Sequence, residues 1–371
     1  MCIRDSGDSA GNLHVWEEWK SYGAIRPEST MLAVHDAAAI NSLAFHPSDN
    51  RLLALGGNRE GIVSLIDTVT HDIERLKPVE RQGNQNNRVH SLAFSPDGQL
   101  LAVGGESIPI TVWNVSERKP VTTLLDEEWK VVKDFAKDGS KSLRIVSPSV
   151  AFSPDGSRLA VSWYHEAAGN EFLYYPNSVT IFDLGQNADD PARLTDIPSD
   201  DGPFQHVLFD HQDDVLFLAR AGRLESWDLQ RGRPTRGEPA AHSARIQSLA
   251  FSRDGLLFAS GDFYGFIRIW DARTGALRHT FQKHWGRIES LQFSADSSRL
   301  LATGFRDRMI TAWDVSTGQL IESLDFESTI TGFDLTPDGK TLLAGGWYNK
   351  FFAYDPETLV LKNEIKIGRG S

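Results

Sequence analysis

The chain has 371 residues, of which 40% are hydrophobic and 24% charged, and its formal net charge at pH 7 is −12. This acidic surplus disfavours non-specific attraction to nucleic acid or anionic lipid, because phosphate binding depends on excess Lys and Arg. The single cysteine, Cys2, excludes an internal disulfide framework and fits a reducing compartment, and no apolar run reaches the roughly 20 residues that span a bilayer. We therefore predict a soluble, cytoplasmic protein with neither a nucleic-acid nor a membrane partner.

The amino terminus differs from the rest of the chain. Met1 to Ser6 is similar to the translated sequencing-adapter scar at the ends of some metagenomic gene predictions, so residues 1–6 are expected to be a non-native leader. Residues 7–39 follow the pattern of the second half of a repeat, with one strand near Asn12 to Trp16 and another near Ala24 to Val34. We expect an N-terminally truncated fragment in which residues 7–39 are the remnant of a preceding repeat.

One pattern recurs seven times between residues 40 and 371. Each copy has an apolar residue opening a polar turn, then a strand, then a second strand that ends in an aromatic or apolar residue plus Asp or Asn. The turns open at Phe45, Phe94, Phe152, Phe209, Phe251, Phe293 and Leu335, and the later strands end at Ile66, Trp113, Phe182, Trp227, Trp270, Trp313 and Tyr354. A unit this short cannot bury its own apolar face, so the copies must pack against one another.

The fifth copy shows four predicted strands. Residues 246–251 and 256–260 flank a turn that ends in Gly255, which can adopt positive φ. The second of these strands is almost continuously apolar, as expected for a strand covered on both faces. Two further strands follow at 266–270 and 276–281. Four short antiparallel strands at this repeat length are typical of a β-propeller blade.

These turns and strand ends resemble the WD-repeat family of β-propellers, of the bacterial type, over roughly residues 7 to 367. The resemblance implies an all-β, seven-bladed propeller of four-stranded antiparallel blades (strands a to d), with an extra partial blade at the N-terminus. It also implies a stabilising tetrad of His, Ser or Thr, Trp and Asp in a blade. The sixth copy matches with His284, Thr303, Trp313 and Asp307; the fifth matches with His242, Ser260 and Trp270, but Tyr264 stands where Asp is expected.

Catalytic and metal motifs are weak. Gly7 to Gly11 is a G-x-S-x-G sequence, but a strand follows the Ser where a nucleophile elbow needs a helix. His206 and His211, five residues apart, would point to opposite faces of a strand, which is unsuitable for joint metal ligation. We therefore predict no catalytic residue, no metal, no cofactor and no small-molecule substrate.

The loops of one propeller face are the predicted binding region. Insertions at about Asp126 to Ser147 (a d–a loop) and Trp163 to Asn177 (a b–c loop) flank the third blade, and repeat proteins place insertions on the binding face. Aromatic residues and Arg dominate interface hot spots. The candidate partner-binding residues are Trp129, Trp163, Tyr164, Tyr174, Tyr175, Phe263, Tyr264, Trp285, Phe305, Arg306, Trp347 and Tyr348. The alternative is that these aromatics only cap the gaps between blades.

A second candidate binding region is an arginine cluster in the fourth copy. Its members are Arg220, Arg223, Arg231, Arg233 and Arg236. Such a run could hold an acidic or phosphorylated segment through bidentate contacts, or it could be a solvated loop face.

Two functions remain open on the sequence. The first is a non-enzymatic scaffold whose loop face binds a peptide or protein. The second is a regulatory or substrate-sensing propeller of a larger kinase, protease or NTPase whose catalytic domain lies outside this sequence. Converging Asp, Glu, Asn or His near the propeller axis would favour the second function, but the sequence shows no such set in corresponding positions. Because a fold alone assigns no chemistry, the scaffold is the predicted function.

Overall fold

The computed structural model describes residues 14–15, 32–33, 40–57, 61–70, 72–76, 87–125, 143–167, 177–185, 188–199, 202–211, 215–235, 241–305, 307–325, 330–346 and 350–368. Every regular element in these residues is a β-strand, and the same residues contain no helix that could cross a bilayer. Two short strands come first, β1 (His14–Val15) and β2 (Leu32–Ala33).

The strands from residue 40 onward follow one another in antiparallel sheets. The first sheet contains β3 (Ile40–His46), β4 (Asp49–Gly57), β5 (Val63–Asp67) and β6 (Ile73–Leu76). An eight-stranded sheet follows, with β7 (Arg88–Phe94), β8 (Leu100–Glu106), β9 (Ile110–Asn114), β10 (Lys119–Leu124), β11 (Leu143–Phe152), β12 (Arg158–Ala167), β13 (Asn177–Asp183) and β14 (Ala192–Ser199). It consists of two four-stranded sets joined where Val146 pairs with Glu106.

Three further four-stranded sheets and one larger sheet complete the described strands. The four-stranded sheets are β15 (His206–Phe209), β16 (Val215–Arg220), β17 (Arg223–Asp228) and β18 (Arg233–Pro234); β19 (Ile246–Phe251), β20 (Leu257–Asp262), β21 (Phe266–Asp271) and β22 (Leu277–Gln282); and β23 (Ile288–Phe293), β24 (Arg299–Gly304), β25 (Met309–Asp314) and β26 (Leu320–Asp325). The last sheet contains β27 (Ile330–Leu335), β28 (Leu342–Gly346), β29 (Lys350–Tyr354) and β30 (Leu361–Gly368), with β1 and β2 both paired to β30.

Burial follows the sequence pattern of each strand. In β19 buried and partly exposed residues alternate, whereas β20 is buried from Phe258 to Asp262. A first strand therefore has one covered face and a second strand has two, because neighbouring sheets pack on both sides of the latter. The clusters of buried side chains cross from one sheet to the next, as in the packing of Ile269 against Phe293 and Trp313. The core lies between the sheets.

Contacts between sheets continue from the last sheet back to the first. The first strands of successive sheets contact one another, and β27 contacts β3. At this junction the Phe45 N–H donates to the Asp334 carboxylate at 2.9 Å, and the Asp338 N–H donates to the Asn50 side chain at 3.1 Å. Leu343 also packs with Leu53 and Leu55. The all-β fold is therefore a β-propeller.

The two insertions predicted beside the third copy are partly strand. β11 already begins at Leu143 and β12 continues to Ala167, so the ends of both expected loops belong to a long hairpin. The strands extend because Ile145 and Trp163 have apolar neighbours to pack against. Residues 126–142 and 168–176, the remaining parts of the two expected loops, lie outside the described residues.

Candidate partner-binding surface

A chain of hydrogen bonds joins four buried side chains in the β19–β22 sheet. Trp270 Nε1 donates to Ser260 Oγ at 2.8 Å, Ser260 Oγ lies 2.7 Å from His242 Nε2, and His242 Nδ1 lies 2.9 Å from Asp262 Oδ2. Because each hydrogen bond contains one proton, Trp270 donates to Ser260, Ser260 donates to His242, and His242 donates to Asp262. The imidazole in this arrangement is neutral. Burial lowers the pKa of His242 despite the opposing effect of Asp262, which agrees with the neutral form.

The acid of this network is Asp262, not a residue at the position of Tyr264. Asp262 is the last residue of β20, and its other carboxylate oxygen accepts the N–H groups of Tyr264 at 2.9 Å and Phe266 at 3.0 Å. The Asp262 carboxylate therefore both fixes the turn that follows β20 and orients the His242 imidazole. Tyr264 is 59% exposed, and only its backbone N–H contacts the network.

The β23–β26 sheet has the same network with a different hydroxyl. Trp313 Nε1 donates to Thr311 Oγ1 at 2.9 Å, which lies 2.9 Å from His284 Nε2, and His284 Nδ1 lies 2.9 Å from Asp307 Oδ2. The hydrogen bonds thus link three members of the implied tetrad, His284, Trp313 and Asp307, through Thr311. The network does not include Thr303, whose buried hydroxyl has no hydrogen-bond partner among the described residues.

The hydroxyl moves because the residue two places before the Trp differs between the sheets. In β25 this residue is Thr311, whose short side chain reaches both the indole and the imidazole. In β21 it is Arg268, which instead donates to the Ala241 carbonyl oxygen. Ser260 on β20 then has to supply the hydroxyl. Spacing alone does not identify this hydroxyl, because Thr111, which also lies two residues before a Trp, donates instead to the Pro109 carbonyl oxygen.

Trp163 is a core residue, which corrects its prediction as a loop anchor. It lies within β12, is 6% exposed, and its Nε1 donates to Thr180 Oγ1 at 2.9 Å. Thr180 in turn donates to Asp196 at 2.6 Å. Tyr164 is the next residue of β12, opposite Val146, and is half-buried. Other predicted binding residues lie outside the described residues: Trp129, Tyr174, Tyr175, Arg306, Trp347 and Tyr348.

Three predicted anchors are exposed and lie on adjoining loops. Phe263, Tyr264 and Trp285 are 47%, 59% and 68% exposed, and we call them the aromatic patch. The Phe263 and Tyr264 rings meet edge to face with centroids 5.8 Å apart. At Gly265 (φ +85°) their turn lies directly against the loop that carries Trp285. The approach is so close that a Cβ added to Gly265 would lie 2.3 Å from the His284 carbonyl oxygen. The patch therefore spans the junction of two sheets.

The buried networks hold the patch from below. Asp307 Oδ2, which contacts His284, also accepts the Trp285 N–H at 3.1 Å. The Phe263 and Phe305 N–H groups donate to the Arg245 and Arg287 carbonyls, each at 2.9 Å. Phe305 is half-buried, with the Arg287 guanidinium 4.0 Å from its ring centroid. The loop backbones are thus fixed while the patch side chains face solvent.

The arginine cluster of the fourth copy is partly used within its own sheet. Arg220 pairs with Glu225 and donates to Ser199 Oγ, and Arg231 pairs with Asp228. Arg236 lies outside the described residues. In the part of the chain that the structure describes, no group of three or more His, Cys, Asp or Glu could hold a metal ion.

Comparison with known proteins supports this reading of the repeats. The model of the WD40 family (WD domain, G-beta repeat) matches residues 77–107, 236–271 and 275–314. The last two segments contain the two complete networks, those of Trp270 and Trp313.

The chain is also similar to longer proteins from eukaryotes. These include the WD repeat-containing protein slp1 of Schizosaccharomyces pombe, 29% identical over 34% of this chain and 26% of the relative. Echinoderm microtubule-associated protein-like 2 of Rattus norvegicus is 23% identical over 79% and 44%. The anaphase-promoting complex subunit cdc20 of Dictyostelium discoideum is 23% identical over 78% and 43%. The chain spans less than half the length of each, and these relatives give no support to the bacterial type. The WD40 matches and the similarity to slp1 show that parts of this chain are similar to WD-repeat proteins, in agreement with its four-stranded sheets.

Proposed function

We propose that this chain is a non-catalytic scaffold that binds a protein or peptide partner on the loop face carrying the aromatic patch. The observation that carries the proposal is the exposure of Phe263, Tyr264 and Trp285 on loops whose backbones are held by buried networks. Large aromatic side chains on a rigid support bury much area at little entropic cost, which is the usual composition of an interface hot spot.

The scaffold that we propose is a ring of seven four-stranded blades. Its support is the series of contacts between successive first strands, which ends with β27 against β3, and the Phe45 to Asp334 bond at that junction. We place β1 and β2 as an overhang on the last blade, because both pair with β30. We further propose a cytoplasmic location and a partner that is neither nucleic acid nor membrane, since acidic residues outnumber basic ones by 50 to 38.

The names of the relatives favour a scaffold over an enzyme. They denote a WD repeat-containing protein, a microtubule-associated protein and a subunit of a complex, and none of the three names an enzymatic activity. Propellers of the WD-repeat family are generally non-catalytic. We extend that general role, not the named partners, to this chain.

A peptide selection tests the proposal. The full chain is immobilised and used to select from a displayed library of random linear peptides, in parallel with a Trp285→Ala, Tyr264→Ala double variant. Leu256→Ala is the matched control, because Leu256 is 67% exposed, much like Trp285, but lies in the turn between β19 and β20. That turn is at the opposite end of the antiparallel sheet.

We expect peptides that bind the wild-type chain and the Leu256 variant equally and lose at least about tenfold in affinity for the double variant. Peptides that bind all three proteins equally, or no selected peptide at all, would contradict the proposed function.

A further inference from the structure

The exposed charges of the loops that carry the aromatic patch, residues 241–246, 262–266 and 283–287, are basic, although the chain as a whole is acidic. Lys283 and Arg245 are exposed, and Arg287 retains 36% of its side-chain surface. Lys283 is two residues before Trp285, and the Arg245 carbonyl accepts the Phe263 N–H. The basic side chains therefore border the aromatic ones.

The acidic groups of the same loops are turned inward. The side chains of Asp262 and Asp307 are 1% and 0% exposed, and each carboxylate faces an imidazole. Glu289, at the start of β23, is paired with Arg287, and its side chain is 18% exposed. In these loops the cations and the aromatic rings are therefore more exposed than the carboxylates.

The turns of the opposite face carry a recurring Asp. They carry Asp97, Asp155, Asp254, Asp296 and Asp338 between first and second strands, and Asp67, Asp228, Asp271, Asp314 and Asp355 between third and fourth strands. Several of these carboxylates pair with a cation of the same face, as Asp271 does with Arg278. The exposed cations beside the patch, in contrast, would attract an acidic segment to these loops.

We infer that the aromatic patch recognises an acidic protein segment, one that carries carboxylates beside an apolar or aromatic anchor. The anchor would pack on Phe263, Tyr264 and Trp285, and the carboxylates would pair with Lys283 and Arg245. This inference rests on the proposed function and adds the chemistry of the partner to it. Arg suits the role because its guanidinium binds carboxylates in a bidentate manner and stacks on aromatic rings, as Arg287 stacks on Phe305.

The same selection tests this chemistry through the composition of the selected peptides. We expect peptides that depend on Trp285 to carry more Asp and Glu than the starting library. Each should bind more weakly in high salt, because exposed charge pairs are screened. Peptides that depend on Trp285 but are neutral or basic would overturn the acidic partner and leave the proposed function standing. Peptides indifferent to Trp285 would overturn both.

Charge reversal gives a second test on the folded chain. Lys283→Glu combined with Arg245→Glu should weaken a selected acidic peptide by about tenfold or more, since opposing rim charges become repulsive. Arg273→Glu combined with Lys119→Glu changes the net charge equally, but both residues border turns of the opposite face. That control should leave affinity within about twofold. Equal losses in the two double variants would mean that only net charge matters, and would overturn the assigned site.

Discussion

The two faces of the propeller use their polar side chains differently. On the turn face, the carboxylates accept hydrogen bonds from hydroxyl and N–H groups of their own turns: Ser252 Oγ donates to Asp254 at 2.5 Å, and the Thr274 N–H donates to Asp271 at 2.8 Å. The same arrangement recurs at Ser294 with Asp296 and at Thr317 with Asp314. On the loop face between the β19–β22 and β23–β26 sheets, the acids lie beneath the surface and the aromatic side chains project.

In this repeated fold, the two faces differ in how many side chains they leave free of structural roles. The turn face repeats because each Asp accepts hydrogen bonds from N–H and hydroxyl groups of its own turn. The Asp that makes each repeat recognisable is therefore already engaged within that turn. The exposed residues of the loop face vary because buried His and Asp side chains hold the loops in place. Phe263, Tyr264 and Trp285 therefore remain available for a partner, and the predictions below separate the two kinds of residue.

The largest expected effect comes from the network beneath the patch. Trp313→Ala should lower the free energy of unfolding by about 3 to 5 kcal/mol, because it removes a buried ring stacked 4.5 Å from Phe281 and the donor to Thr311. Urea denaturation measures the loss. Wild-type stability in this variant would mean that β25 is wrongly placed.

The hydroxyl of the same network gives a smaller and more specific effect. Thr311→Val should cost about 1 to 3 kcal/mol, since it leaves the buried Trp313 and His284 groups without their shared partner. Thr303→Val is the matched control and should be neutral or stabilising, because its buried hydroxyl makes no hydrogen bond among the described residues. The reverse order of stabilities would restore Thr303 as the network residue.

The turn face should lose stability in acid. Hydrogen bonds from Ser294 and Ser316 hold the pKa of Asp296 and of Asp314 at about 2. A lowered pKa in the folded state stabilises the fold above the unfolded-state pKa, and that stability is lost as the pH falls from about 4 towards 2. Asp296→Asn with Asp314→Asn should flatten this part of the curve of unfolding free energy against pH. An unchanged slope would contradict the assigned role of the two carboxylates.

Asp334, at the junction of the last and first sheets, should change the pH dependence of stability in the opposite direction. Burial raises its pKa to about 6, against the opposing bonds from the Phe45 and Leu335 N–H groups. The folded state therefore binds a proton more tightly than the unfolded chain, and stability rises as the pH falls from about 6 to 4. Asp334→Asn should remove that rise. Its persistence in the variant would assign the titration to another group.

The smallest expected effect on stability is at the patch itself. Trp285→Ala with Tyr264→Ala should change the free energy of unfolding by less than about 0.5 kcal/mol per site, as exposed substitutions do, because both side chains face solvent. Thermal and urea unfolding check this directly. A loss comparable with that of Trp313→Ala would make the aromatic patch structural.

The sequence predicted the parts of the fold that depend on local chemistry. Turn residues such as Asp254 and Gly255 specify their hairpin wherever they occur, and Trp270 and Trp313 mark buried strand ends. The identity of the network hydroxyl was not predictable from spacing, since Thr303 and Thr311 both lie near the indole and only the packing of strands selects between them. Trp163 was assigned to a loop because nothing local shows that β12 continues past Val161.

Hydrogen–deuterium exchange with a selected peptide bound would test most directly that the loop face binds and the turn face only stabilises. The expected result is new protection in residues 241–245, 262–265 and 283–287, with none in the turns at 252–256 and 271–275. Protection of those turns instead, with the loops unchanged, would contradict the account.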